Sequence, residues 1–281
     1  MLIDGKAIAQ TIYADIAARV AVLPFTPVFC DVLIGNDPAS IQYVNMKAKR
    51  AEQLGFKFLR SDFPSFVPEA DVLTRISEIC HMPEVAGLIV QLPAPVGFNQ
   101  SALVNAISPD IDVDCLTNVN SSLFYAGGLS FVPPTPAAVL AVLDSLTLPP
   151  EKLARCVVVG QGDLVGRPVS FLLRARDLEV EIITRETEHP ERIARQADVL
   201  ITAVGRPGLV TAEWVKPGAV LIDAGTAESG GSVVGDVDRA SVGDIPAYFS
   251  PTPGGVGPVT IAKLFWNVLR VAERKAGISS K

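Results

Sequence analysis

The stretch Cys156-Val157-Val158-Val159-Gly160-Gln161-Gly162-Asp163-Leu164-Val165-Gly166 passes from a short apolar run into a turn bounded by glycines. The β-branched run reads as a buried strand, and residues 168–176 read as a helix, so the glycines join a strand to a helix. Without side chains they let backbone N–H groups approach a pyrophosphate at the helix N-terminus. The spacing G-x-G-x-x-x-G is one residue longer than the usual fingerprint, so the setting weighs more than the letters, with a tight structural turn as the alternative. Strands expected at 179–184, 199–204 and 219–224 continue the rhythm of a parallel, dinucleotide-binding sheet. The first of these, the second strand of the sheet counted from 156–159, ends Ile183-Thr184-Arg185. A basic group there can grip a 2′-phosphate, which favours NADP, while Glu186 beside it could offset that preference and leaves NAD as the alternative.

Working back toward the N-terminus, the α/β alternation persists. Residues 4–22 carry apolar positions at helical spacing, Val28–Ile34 is an apolar run, and Gly35-Asn36-Asp37-Pro38 is a turn after which Ser40 is expected to cap a helix to about residue 54. A helix at 70–79 and a buried strand at 86–91 follow. The Gly/Pro-rich segment 127–136 precedes a helix at 137–146, which places the domain crossing there. At 281 residues the chain exceeds a typical domain of about 150, and two cores with a cleft are expected. The last helix, expected at 259–272, has Phe265, Leu269 and Ala272 on one face.

Composition excludes several classes. With 49% hydrophobic and 19% charged residues the chain has enough apolar surface for buried cores. A net charge of −6 argues against a nucleic-acid binder, which needs a basic face. No stretch approaches about 18 uncharged apolar residues, and the start Met1-Leu2-Ile3-Asp4 has an acid where a signal peptide has basic residues, so a cytoplasmic protein off the membrane is expected. Cys30, Cys80, Cys115 and Cys156 are far apart with no C-x-x-C pair, which suggests buried thiols and no metal site. The two histidines, His81 and His189, are expected at the surface. Proton-transfer chemistry then falls to Lys, Tyr, Asp or Glu.

Within the helix after the first strand, Tyr43 and Lys47 stand four residues apart and project from one face. Alone, this pair reads as a Tyr ring against a Lys stem. Four motifs in order change that reading: Gly35-Asn36-Asp37-Pro38-Ala39-Ser40 leading into Tyr43-Val44-Asn45-Met46-Lys47, then Val90-Gln91-Leu92-Pro93, then Asp112-Val113-Asp114, and Pro253-Gly254-Gly255-Val256-Gly257-Pro258. In these motifs the chain resembles the bifunctional methylenetetrahydrofolate dehydrogenase/cyclohydrolase family over nearly its whole length.

The resemblance implies an α/β fold in two domains. An N-terminal α/β catalytic domain would occupy 1–136, a Rossmann-like NADP-binding domain 137–258, and the C-terminal helix, within 259–281, would pack back on the first domain. It further implies a homodimer and the oxidation of 5,10-methylenetetrahydrofolate to the methenyl form, followed by hydrolysis to 10-formyltetrahydrofolate. By the same resemblance Lys47 is the catalytic lysine, Tyr43 stacks on the folate, Gln91 orients Lys47, and Asp114 anchors the pterin. Pro253, Gly254 and Gly255 contact substrate, and Gly160, Gln161, Gly162, Arg185 and Thr226 contact the nucleotide. The roles are chemically sensible: a carboxylate accepts from the pterin's N–H groups, and an amine in a partly apolar cleft can relay a proton to or from water. Departures from the family pattern concentrate at Gly160-Gln161-Gly162, where many relatives have Gly-Arg-Ser, and at Cys115, where the family usually has Gly. The segment Asn120-Ser121-Ser122-Leu123-Phe124 also departs. A dehydrogenase without efficient hydrolysis and a non-catalytic NADP sensor are the rival readings.

Overall fold

A computed structural model of the chain describes residues 1–129, 131–229 and 231–278. Ser130, in the Gly/Pro-rich segment, and residues 279–281 of the expected C-terminal segment lie outside the described residues. The chain divides into two compact units, one of Ile12–Pro134 with Leu264–Lys281 and the other of Met1–Thr11 with Thr135–Lys263.

In chain order the first half forms α1 (Gly5–Val20), β1 (Val28–Ile34), α2 (Pro38–Gln53), β2 (Lys57–Phe63), α3 (Glu69–Cys80), β3 (Val85–Val90), α4 (Gln100–Asn105) and α5 (Asn118–Tyr125). The second half forms α6 (Pro134–Asp144), β4 (Arg155–Val159), α7 (Gly166–Arg174), β5 (Glu179–Ile183), α8 (Pro190–Ala194), β6 (Val199–Thr202) and β7 (Val220–Asp223). It continues with β8 (Ala227–Ser229), β9 (Ser232–Val234), α9 (Arg239–Val242), β10 (Tyr248–Ser250) and α10 (Val256–Lys275).

In the first unit β1 lies between β2 and β3, all parallel. Every residue of β1 and β3 is buried, as strands of a covered parallel sheet are, with Asp31 of β1 the one charged residue among them, whereas β2 is half exposed. Helix α2 starts differently from the expectation that Ser40 caps it. Asp37 is the N-cap, its carboxylate accepting from the Ser40 backbone N–H at 2.8 Å, and Ser40 lies inside the first turn. Pro38 explains the shift: its fixed φ suits the first helical position, and the residue before it is pushed out of the helical region into the cap conformation.

The C-terminal half of α10 completes this unit. Phe265 is fully buried, its ring 5.2 Å from Phe29 and 5.7 Å from Phe56, and Leu269 and Ala272 on the expected face are buried with it. Asn267 donates through Nδ2 to the carbonyls of Val113 and Val132, each at 2.9 Å. Arg19 grips Glu273 with a fork, Nε to Oε1 at 2.8 Å and Nη2 to Oε2 at 2.7 Å, so α10 is tied to α1 and to the segment leading into Asp114.

In the second unit the sheet runs β10-β7-β6-β4-β5, parallel throughout, around a core that includes Val157, Leu200, Leu221 and Phe249. From β4 the chain goes to β5 on one side and then to β6 on the other. Strand order therefore reverses about β4, and the crevice at the carboxyl ends of β4 and β6 is the ligand position of such sheets.

Candidate active site

Lys47 projects from the third turn of α2 and is fully buried, an expensive position for an ammonium unless it is paired. Its Nζ donates to Gln91 Oε1 at 2.8 Å, sits 2.6 Å from Asp31 Oδ2, and lies 4.6 Å from the centre of the Tyr43 ring. The i, i+4 spacing on α2 brings the ring and the amine together, a cation–π contact. Gln91 sits just past the end of β3, where its backbone N–H donates to Val32 O at 2.8 Å and its Nε2 to Leu92 O at 3.1 Å. That second bond leaves the amide oxygen facing Lys47.

Asp31 is the residue the sequence reading passed over. It stands in the middle of β1, fully buried, with Arg60 and Ile89 opposite it on the neighbouring strands. The 2.6 Å approach to Lys47 is an ion pair without hydrogen-bond geometry, and among the described residues neither carboxylate oxygen accepts a hydrogen bond. Burial pushes its carboxyl above the ordinary range, and the Lys47 charge pulls the other way.

Asp112 and Asp114 divide the labour of their motif. Asp112 is buried and accepts from the backbone N–H groups of Leu116 and Thr117 at 3.2 and 2.9 Å and from Asn120 Nδ2 at 3.1 Å, so it braces the turn into α5. Asp114 is only partly buried. Desolvation pushes its carboxyl up to about 6 against the pull of Lys47. The same burial, with Asp114 and Asp31 nearby, pushes the Tyr43 phenol up. Cys115, next in the chain, holds a left-handed backbone with φ of 60°, a conformation that favours glycine. The first unit thus brings Tyr43, Lys47 and Gln91 into contact, with Asp114 coupled to them through charge.

Pro253, Gly254 and Gly255 belong to the other unit, with the residues assigned to the nucleotide. Thr252 Oγ1 donates to Asp223 O at 2.8 Å, and the Gly254 carbonyl accepts from Gly5 N at 3.0 Å. Gly254 has φ of 103°, and a Cβ on Gly255 would collide with Ser250 and Pro251, so only glycine fits this loop.

At the β4–α7 turn Gly160 has φ of 102°, and a Cβ there would come within 2.6 Å of the Ala203 carbonyl that follows β6. Gln161 and Gly162 are exposed beyond it. This close backbone approach at the strand-order reversal, opening onto the N-terminus of α7, fits a dinucleotide pyrophosphate. Arg185 is exposed just after β5; beside it the Thr184 hydroxyl donates to Glu186 Oε2 at 2.7 Å and holds that carboxyl below its ordinary range. Thr226 is exposed after β7. The loops here hang on two buried carboxylates. Asp236 accepts from Thr202 Oγ1 and the N–H groups of Val204 and Arg206 at 2.7 to 2.8 Å, and Asp223 accepts from the N–H groups of Gly225, Asp236 and Val237 at 3.1 Å.

Among the described residues no group of His, Cys, Asp and Glu could hold a metal ion, and no helix is long and apolar enough to cross a membrane. The four thiols are free, and His81 and His189 are exposed.

A lysine caged in one α/β unit and a dinucleotide-type sheet in the other define a class of oxidoreductase architecture, and comparison with known proteins narrows it. The family model for the tetrahydrofolate dehydrogenase/cyclohydrolase catalytic domain matches residues 3–114, and that for the NAD(P)-binding domain of the same family matches residues 133–276. The bifunctional protein FolD of Lacticaseibacillus paracasei is 38% identical over 278 residues, covering 98% of each chain. The crystal structure of the bifunctional FolD methylenetetrahydrofolate dehydrogenase/cyclohydrolase from Campylobacter jejuni superposes with a TM-score of 0.92 at 31% identity, covering 98% of this chain and 99% of that one. The Trypanosoma brucei enzyme, complexed with NADP cofactor and inhibitor, gives 0.90 at 32% identity, covering 98% and 97%. The chain belongs to the tetrahydrofolate dehydrogenase/cyclohydrolase family.

Proposed function

We propose that this chain oxidises 5,10-methylenetetrahydrofolate to 5,10-methenyltetrahydrofolate with NADP and hydrolyses the product to 10-formyltetrahydrofolate, a pair of steps in one-carbon metabolism. The observation that carries the reading is the fully buried Lys47, donating to Gln91 at 2.8 Å beneath the Tyr43 ring, in the part of the chain that matches the family's catalytic domain.

Tyr43 offers its ring face to the pterin, and Asp114, when ionised, accepts from pterin N–H groups, which fixes the orientation of the one-carbon bridge. Pro253, Gly254 and Gly255 approach the substrate through backbone. Gly160, Gln161 and Gly162 receive the pyrophosphate, Arg185 the 2′-phosphate, and Thr226 the nicotinamide end. NADP, when bound, supplies the acceptor for the hydride that leaves the methylene carbon. Addition of water to the methenyl carbon and opening of its bond to N5 put one water proton on N5 and release the other. Lys47 moves that proton, and Gln91 holds the amine in place for the transfer. We place the enzyme in the cytoplasm as a homodimer paired through its nucleotide units, with folate derivatives rather than nucleic acid or membrane as partners.

The test follows reduced cofactor and methenyl product together by absorbance. Wild type is expected to reduce NADP without methenyl build-up. Lys47→Met is expected to lose cyclohydrolase activity by at least about 100-fold, the scale of one proton-transfer group; full activity in this variant would remove Lys47 from the mechanism.

A further inference from the structure

Among the described residues the buried aspartates fall into two kinds. Asp112, Asp223 and Asp236 each accept several backbone N–H groups and hold loops. Asp31 does none of this: fully buried in an apolar strand, it accepts no hydrogen bond among the described residues, and its near neighbour is the Lys47 ammonium at 2.6 Å. A carboxylate in such a place weakens the fold unless its charge is used. The other charged or titratable groups around it are Tyr43 on α2, Arg60 and Asp62 on β2, and Asp114 beyond β3.

The proposed reaction explains the use, and the inference rests on that reading. Methylenetetrahydrofolate carries no charge on its one-carbon bridge, whereas methenyltetrahydrofolate carries a positive charge spread over N5, the bridge carbon and N10. An unbalanced ammonium beside that bridge would repel the product of the first step, which is also the substrate of the second. We propose that Asp31 is a positioning residue that cancels the Lys47 charge, so that the site retains the cationic methenyl form next to its own catalytic amine. With Asp31 in place the Lys47–Asp31 pair is neutral, and ionised Asp114 leaves the site net negative toward the cation.

The experiment is a rapid-mixing fluorescence titration of the full chain, complete before turnover, with methenyl- and with methylenetetrahydrofolate near neutral pH. Asp31→Asn is expected to weaken methenyl binding about ten-fold or more, the scale of one unit charge a few Å away, while methylene binding stays within about three-fold. The charge-preserving Asp31→Glu keeps the preference. The double variant Asp31→Asn/Lys47→Gln, which has neither charge, is expected to bind the methenyl form within about three-fold of wild type.

A merely structural role moves both ligands together, so a parallel loss in Asp31→Asn, or no loss, overturns the inference. So does a double variant that fails to recover methenyl binding. If the single variant does not fold, the double variant, freed of the buried unpaired charge, decides: methenyl affinity near wild type supports the inference, and a ten-fold loss with methylene binding intact overturns it. The reading beneath is tested separately. A wild type that neither reduces NADP with the methylene form nor hydrolyses the methenyl form would sink the function itself, whereas normal wild-type turnover together with an unchanged methenyl preference in Asp31→Asn would sink this inference alone.

Discussion

Replacing Asn267 by leucine removes two donors from the interior while keeping nearly the same volume. Asn267 is almost fully buried, and its Nδ2 is shared between the carbonyls of Val113 and Val132 at 2.9 Å each. A buried carbonyl deprived of its donor costs about 1–3 kcal/mol, and two of them about 2–6 kcal/mol. The apolar side chain returns about 1–2 kcal/mol of that through better burial. A net destabilisation of about 2–4 kcal/mol lowers the midpoint by about 2–4 °C per kcal/mol, or about 5–15 °C, in a domain of this size. Thermal unfolding followed by circular dichroism, with tryptophan emission as a second probe, reads it. Because the Val113 carbonyl immediately precedes Asp114, KM for the folate should rise while NADP affinity holds. A midpoint within about 2 °C of wild type, with an unchanged folate KM, would refute the idea that α10 fixes the position of Asp114.

Two further expectations concern charge. Burial pushes the Asp114 carboxyl up to about 6, above its unfolded value of about 3.9, so the native state holds a proton between those values that the unfolded state has released. This group therefore contributes most to stability below pH about 4, and about 3 kcal/mol is lost as pH rises to about 6. In the proposed role of Asp114 folate binding uses the ionised form, so its affinity should fall up to ten-fold per pH unit below about 6, and a similar slope in Asp114→Asn would exclude Asp114 as its source. Arg185→Ala should raise the Kd for NADP roughly ten-fold or more and leave NAD nearly unchanged, as loss of a charge-assisted contact to the 2′-phosphate requires; an unchanged NADP-to-NAD ratio by fluorescence titration would reject the assignment.

The strands built on apolar runs were legible from residue order alone: β1, β3, β4, β6 and β7 lie within a residue or two of where periodicity puts them. Strand β2 was missed because Lys57–Phe63, at a sheet edge, mixes charged with apolar residues and carries no continuous run. Helices α4 and α5 are a turn or two long, and their caps, Asn99 and Thr117, are ordinary loop residues by composition. Tyr43 and Lys47 could be paired from helical spacing. Gln91 could be joined to them only through the family's motifs, since the contact spans 44 positions. Asp31 gave no signal of its own: inside Val28–Ile34 it is one acid in an apolar run, and its partner lies on the next helix. Nor do the letters distinguish Asp112, which braces a turn, from Asp114, which keeps a partly open face.

Neither compact unit is a continuous piece of chain: Met1–Thr11 groups with Thr135–Lys263, and Leu264–Lys281 with Ile12–Pro134. During synthesis the strand carrying Asp31 and the helix carrying Lys47 emerge before the whole of the β4–β10 sheet, whereas Phe265, which packs on Phe29 and Phe56, and Asn267, which holds the Val113 carbonyl, emerge after it. The unit that houses Lys47 cannot close its core until the intervening sheet and α10 have been made. A message truncated before α10 therefore yields no half-enzyme with a closed lysine site, and the nascent chain carries the exposed Phe29 and Phe56 surface while the β4–β10 sheet is being synthesised.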